Sequence, residues 1–145
     1  MITFLRHGES ENNKYHLHIV DPSLTAKGKK QASLLSGHFD YIMISPLKRT
    51  IETFNNSSIT GDNIEYSSLC RENIYSHSDL MQGENLMETR EMFEERLKLL
   101  KLYIKTKKYK NILIITHHGV IYNMTGYDLH NAEYTSNITS KIISL

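Results

Sequence analysis

The sequence predicts a three-layer α/β sandwich, a mostly parallel central sheet flanked by helices. Three features point there. Short apolar runs recur along the chain, at Ile2 to Leu5, in "DYIMISP" (residues 40–46) and in "NILIITHHG" (residues 111–119). The two later runs are apolar at nearly every position, as strands buried on both faces of a parallel sheet are. Between the runs lie segments with helix start and stop signals, and alternating strands and helices imply parallel pairing.

The first run is short and is closed at once by Gly8, which suits a strand ending in a turn. "LTAKGKKQASLLSG" (residues 24–37) predicts a helix with Thr25 as N-cap and Gly37 as its stop. After the second strand, "SPLKRTIETF" (residues 45–54) places Ser45 as N-cap and Pro46 at the first helical position. A weaker strand is expected over Asn63 to Tyr66. The longest helix is expected from about Leu86 to Lys105. Asn85 and Glu88 have capping-box spacing there, and Leu86, Phe93, Leu97, Leu100 and Ile104 form one apolar stripe. A short helix should follow Gly119, and "SKIISL" (residues 140–145) should add an edge strand. "ENIYSHSDLMQGE" (residues 72–84) is polar and aperiodic, and reads as a long loop of the kind that forms lids.

Composition narrows the class. With 145 residues the chain is long enough for one core, and residues 1–145 read as a single domain. Charged residues are 23% of the chain and the net charge is +1, so no polyanionic partner is implied and nucleic acid is not expected. The lysines between Lys98 and Lys110 fall at a predicted helix end, where cations suit the dipole. There is no run of about 18 apolar residues, so no membrane span is expected. One cysteine, Cys70, excludes an internal disulfide and fits a reducing compartment; a soluble, cytoplasmic protein is the expectation. Oligomeric state is not readable.

The chemistry gathers at strand ends, where open α/β sheets bind ligands. The first strand ends in Arg6-His7-Gly8, the second runs into a helix start bearing Arg49, and the third ends in Thr116-His117-His118-Gly119. Two arginines and two histidines brought to one crevice, without an acidic metal cage nearby, suit a phosphoryl group held without metal. Guanidinium forks match phosphate oxygens, and a helix N-terminus adds backbone donors. His16 and His18 alternate in a loop with no third ligand, which argues against a metal site.

In order along the chain stand "RHGES" with Asn13, "DPSLTAKGKKQA", "SPLKRTIET", Arg71-Glu72 and "THHGVI". From residue 6 to residue 121 this series resembles the histidine phosphatase superfamily, whose fold is called phosphoglycerate mutase-like. The resemblance implies that His7 is a nucleophile that becomes phosphohistidine. Arg6 and Arg49 would bind the phosphate, His117 would hydrogen-bond its oxygens, and Ser10 and Asn13 would add contacts or simply cap the first helix. Glu72 lies where the family keeps its proton donor. The family's usual aromatic-glycine turn does not follow it, so Asp79 and Glu84 stand as rival carboxyls. His118 reads as packing or rim, and Tyr75, His77 and Asp79 as candidates to contact a leaving group.

The chemistry asks for these residue types independently. A neutral imidazole attacks phosphorus, cations stabilise the equatorial oxygens, and a protonated carboxyl gives its proton to the leaving alkoxide. The expectation is a metal-independent phosphomonoester hydrolase with no cofactor, acting on a small phosphorylated substrate or a phosphoprotein. The alternatives are a mutase-type phosphotransferase and a non-catalytic phosphate-binding module.

Overall fold

A computed structural model describes residues 1–135 of the chain; the expected strand at 140–145 lies outside the described residues. The elements in order are β1 (Ile2–Arg6), α1 (Glu11–Tyr15), α2 (Ala26–Ser33), β2 (Ser36–Ile44), α3 (Lys48–Asn55) and β3 (Ser58–Tyr66). Then follow α4 (Arg90–Thr106), β4 (Ile112–Thr116), α5 (His118–Thr125) and β5 (Tyr134–Thr135). The five strands form one sheet in the order β3-β2-β4-β1-β5. All pairs are parallel except β1 with β5.

Period-two alternation divides the strand residues between two cores. Phe4, Met43 and Ile114 point to one face and pack with Phe93, Leu97, Leu100 and Ile104 of α4 and Val120, Ile121 and Met124 of α5. Leu5, Ile42, Ile44, Leu113 and Ile115 point to the other, against Ile51 and Phe54 of α3. Both alternating sets are buried, which is why these runs are apolar throughout. Among the described residues no helix is long and apolar enough to cross a membrane.

Several boundaries depart from expectation. Helix α2 begins after Thr25, whose Oγ1 accepts from Gly28 N at 3.0 Å, but it stops at Ser33. Gly37 is therefore no stop signal. It lies within β2, which starts early because Ser36 and Gly37 pair with Ser58 and Ile59 of β3. β3 is correspondingly longer than the predicted Asn63 to Tyr66. Helix α3 does not start at Ser45-Pro46. Ser45 N still bonds Ile115 O at 3.1 Å, so the strand ladder runs through Ser45 and delays the helix to Lys48.

α4 begins at Arg90 rather than near Leu86. Thr89 caps it by accepting from Met92 N at 3.1 Å, and Glu88 is drawn away to accept from Arg96 and from Ile74 N. Leu86 is 70% exposed and drops out of the stripe, while Phe93, Leu97, Leu100 and Ile104 are buried as expected.

Neighbouring leucines of α4 check this packing. Leu100 is fully buried and Leu99 is 56% exposed. Leu100→Ala is expected to lose about 2–5 kcal/mol in urea unfolding, and Leu99→Ala to stay within about 0.5 kcal/mol of the parent. Equal losses would mean that α4 docks through a different face.

Candidate active site

Register assembles the site. Arg6 is paired with Thr116 and Ile44 with Ile115, so β1, β2 and β4 end at one level. The next residues are His7, Ser45 and His117. His7 N donates to Thr116 O at 3.2 Å, carrying the pairing one residue past the strand.

The loop that follows β1 is tightly seated. A Cβ on Gly8 would lie 2.7 Å from Gly28 O, and one on Gly28 would lie 2.1 Å from Glu9 O, so the loop and α2 meet backbone to backbone. Gln31 Oε1 accepts from Glu9 N at 2.9 Å, and Thr25 Oγ1 donates to Glu9 Oε1 at 2.8 Å. Gly8 N donates to Thr53 Oγ1 of α3 at 2.9 Å. Thr25, Gly28 and Gln31 thus hold His7 in place. Sequence reading missed this role, although the spacing of these residues on one helix face was a signal for it.

The protonation pattern of His7 follows from its partners. Its Nδ1 lies 2.7 Å from Gly8 O, a group that only accepts, so the proton sits on Nδ1 and the lone pair on Nε2. Arg49 Nε donates to that Nε2 at 3.3 Å. Burial, with the charges of Arg49 and Arg6, holds the imidazole pKa well below its ordinary value. The ring is a neutral base facing two guanidiniums.

Arg6 donates from Nη1 to Leu129 O at 2.9 Å, and its buried Nε has no partner among the described residues. Arg49, in the first turn of α3, donates from Nη1 to Ser78 O at 2.8 Å and from Nη2 to Asp79 Oδ1 at 3.3 Å. His117 is fully buried as the N-cap residue of α5, its ring centroid 5.2 Å from that of His7. Its Nε2 shares a 2.8 Å hydrogen bond with Ser45 Oγ, and its buried Nδ1 has no partner among the described residues. Burial and the nearby Arg49 also hold its pKa well below the usual range.

Arg6, His7, Arg49 and Glu72 line a cavity of about 230 Å³, together with Ser10, Asn12, Asn13, Pro22, Tyr75, Ser76, Ser78, Asp79 and His118. His117 is not on its wall but behind it. Ser10 and Asn13 line the cavity and also cap α1 reciprocally: Ser10 N and Oγ donate to Asn13 Oδ1 at 3.1 and 2.9 Å. His118 is at the rim, bonded through Nε2 to Asp128 at 2.6 Å.

The three carboxyls divide by environment. Glu72 accepts from Gly119 N at 2.9 Å and Asn73 N at 3.0 Å, and burial raises its pKa despite those donors. A Cβ on Gly119 would lie 2.3 Å from Glu72 Oε1, so any side chain there would push that carboxyl from its place. Arg96, another residue that sequence reading passed over, donates to Arg71 O and Glu72 O at 2.7 and 3.1 Å and so fixes the backbone beneath that carboxyl. Glu84 lies off the cavity wall. It takes both Nη groups of Arg71, whose hydrogen bonds hold its carboxyl below the usual range. Asp79 is in the cavity but committed, with Oδ1 on Arg49 and Oδ2 accepting from Ser76 N and Oγ. A buried carboxylate thus partly neutralises Arg49. Among the described residues no group of three or more His, Cys, Asp or Glu is placed to hold a metal ion.

Comparison with known proteins bears on the family and the fold. The profile of the histidine phosphatase superfamily (branch 1) matches residues 2–73. Phosphoserine phosphatase 1 of Hydrogenobacter thermophilus is 44% identical over 59 residues, a match spanning 36% of this chain and only 28% of that protein. The fold is similar to that of a candidate alpha-ribazole-5'-P phosphatase from Escherichia coli, with a TM-score of 0.71 and 21% identity over 92% of this chain and 87% of the other. It is also similar to phosphoglycerate mutase from Thermus thermophilus, with a TM-score of 0.63 and 18% identity over 92% and 90%. With its ordered motifs, its phosphoglycerate mutase-like fold and the profile match across its first half, the chain belongs to the histidine phosphatase superfamily.

Proposed function

We propose that the chain hydrolyses phosphate monoesters through a phosphohistidine on His7, with no metal ion in the reaction. One observation carries this reading. An imidazole with its lone pair on Nε2 lies between two guanidiniums, in the same cavity as a buried carboxyl whose pKa is raised.

The Nε2 lone pair attacks phosphorus; an N–P bond forms as the bond to the ester oxygen breaks. That oxygen keeps the electron pair and takes the proton of Glu72, leaving as the alcohol. Water then attacks the phosphohistidine. Glu72, now a carboxylate, accepts its proton, the N–P electrons return to Nε2 and phosphate is released. Arg6 and Arg49 take the phosphoryl oxygens, with Ser10 and Asn13 as further contacts. The unpartnered Nε of Arg6 suits that role. Arg49 has to exchange its Ser78 and Asp79 contacts for the substrate. His117 supports the His7 side of the cradle, and its unpartnered Nδ1 is the atom available to a phosphoryl oxygen once the ring is reached. A cavity of about 230 Å³ fits a small monoester.

Two measurements test the reading. p-Nitrophenyl phosphate should be hydrolysed in the presence of chelator, and His7→Ala should lower kcat/KM by about a thousandfold or more. Loss of wild-type activity in chelator, or a fully active His7→Ala, defeats the mechanism. Free phosphate as the product distinguishes hydrolysis from transfer between positions of a sugar phosphate.

The second concerns Glu72. Glu72→Gln should slow an alkyl phosphate by about 10²–10⁴-fold, and p-nitrophenyl phosphate far less because its leaving group needs little protonation. A raised pKa keeps the proton on Glu72 to higher pH than an ordinary carboxyl. Activity on the alkyl ester should therefore hold through the acid range and fall as pH rises through that raised value. Persistence of this alkaline limb in Glu72→Gln would assign it to another group.

A further inference from the structure

A second cavity of about 230 Å³ opens on the far side of Glu72. It shares Glu72, Tyr75 and His118 with the first cavity and adds Phe93, Tyr122 and Asn123 to its wall. Its place matters if the hydrolase reading is right. In an in-line displacement the departing oxygen lies opposite the attacking nitrogen, and here it must also meet Glu72. A leaving oxygen at Glu72 stands at the junction of the two cavities, and the group it carries extends into the second.

The wall of the second cavity indicates what that group is. The arginine and the histidine along it are both already partnered. Arg90 donates to Glu94 at 2.9 Å and to Asn123 Oδ1 at 2.7 Å, and His118 is bonded to Asp128. The charge of Arg90 is already matched by Glu94, which lessens its attraction for an anionic substituent. What the wall does offer is ring surface. Tyr75 is 70% exposed and Tyr122 53% exposed, although both face a concavity, and Phe93 lies buried beside them. The imidazole of His118 stacks on Tyr122, with centroids 6.0 Å apart and planes 12° from parallel. Exposed aromatic rings around a pocket bind flat apolar groups. Space is sufficient, since a cavity of about 150 Å³ accepts benzene.

We propose that this second cavity is the leaving-group subsite and that it takes an uncharged alcohol bearing one planar ring. The inference rests on the hydrolase reading for its direction, and its test separates the two.

The test compares kcat/KM for 2-phenylethyl phosphate and ethyl phosphate. The two alcohols differ little in acidity, so the ratio reports contact with the ring and not ease of departure. The expected preference for the phenyl ester is about tenfold or more. Tyr122→Ala, and Asn123→Trp, which fills the cavity, should each bring the ratio close to one, while Tyr122→Phe should retain it. A wild-type ratio near one, or a ratio that neither variant changes, overturns the subsite and leaves the hydrolase reading standing. Calorimetric binding of 3-phenylpropylphosphonate against propylphosphonate reads the same preference without turnover. A phenyl preference in binding with no hydrolysis of any ester would uphold the pocket and overturn the hydrolase; no preference in binding would overturn the pocket itself. Tighter binding of an analogue carrying a ring carboxylate would overturn the uncharged class.

Discussion

The parallel pairing of β4 between β1 and β2 is the constraint on which the site depends. It brings three chain segments, more than a hundred residues apart at the extremes, to the same height with their carboxyl ends together. The pairing continues through His7 N and Ser45 N, so these two positions are fixed by the sheet ladder itself. A one-residue slip of β1 against β4 would move Arg6 off Thr116 and turn its alternating side chains to the opposite face. The apolar alternation of β1, β2 and β4 prevents that slip, since each residue set is matched to a different helical layer.

Burial then determines the chemistry of the groups so placed. An exposed histidine would be partly protonated near neutrality. His7 and His117 are kept neutral by desolvation and by the guanidiniums beside them, and the Gly8 carbonyl selects which nitrogen carries the proton. The same desolvation acts with the opposite sign on Glu72, which is pushed toward its protonated form. One environment thus favours a neutral imidazole and a protonated carboxyl on the wall of the same cavity, and Asp79 tempers the positive charge beside them. Arg49 is thereby tied to the segment Ser76–Asp79 through Ser78 O and Asp79 Oδ1.

The long connection between β3 and α4 is organised by ion pairs more than by packing. Arg71 grips Glu84, Arg96 grips Glu88, and Arg96 also reaches the carbonyls of Ser68, Leu69, Arg71 and Glu72. These contacts let a polar stretch with little regular structure hold Glu72 at a defined place against Gly119. They also leave Tyr75 facing two cavities, where it can meet a ligand.

Much of this was legible in the sequence, for local reasons. Strand runs apolar on both alternations, the Thr25 cap and the α4 stripe from Phe93 to Ile104 state their own structure, and the order of the "RHGES", "SPLKRT" and "THHG" motifs carries the family. The misread boundaries share one cause: tertiary partners outcompeted local signals. Ser45 continued the ladder instead of capping α3, Glu88 joined Arg96 instead of capping α4, and Gly37 was taken up by pairing with β3. The carboxyls show the same division. Glu72, Asp79 and Glu84 are similar acids in one polar stretch of sequence. Their different roles arise only from which arginine, backbone amide or buried surface each one meets in the fold. The sequence by itself determined the layers and the residue types of the site. Which carboxyl is pushed toward its protonated form, which arginine meets a buried carboxylate and where a second cavity opens were decided by tertiary structure, because burial and long-range pairing are properties of the assembled chain.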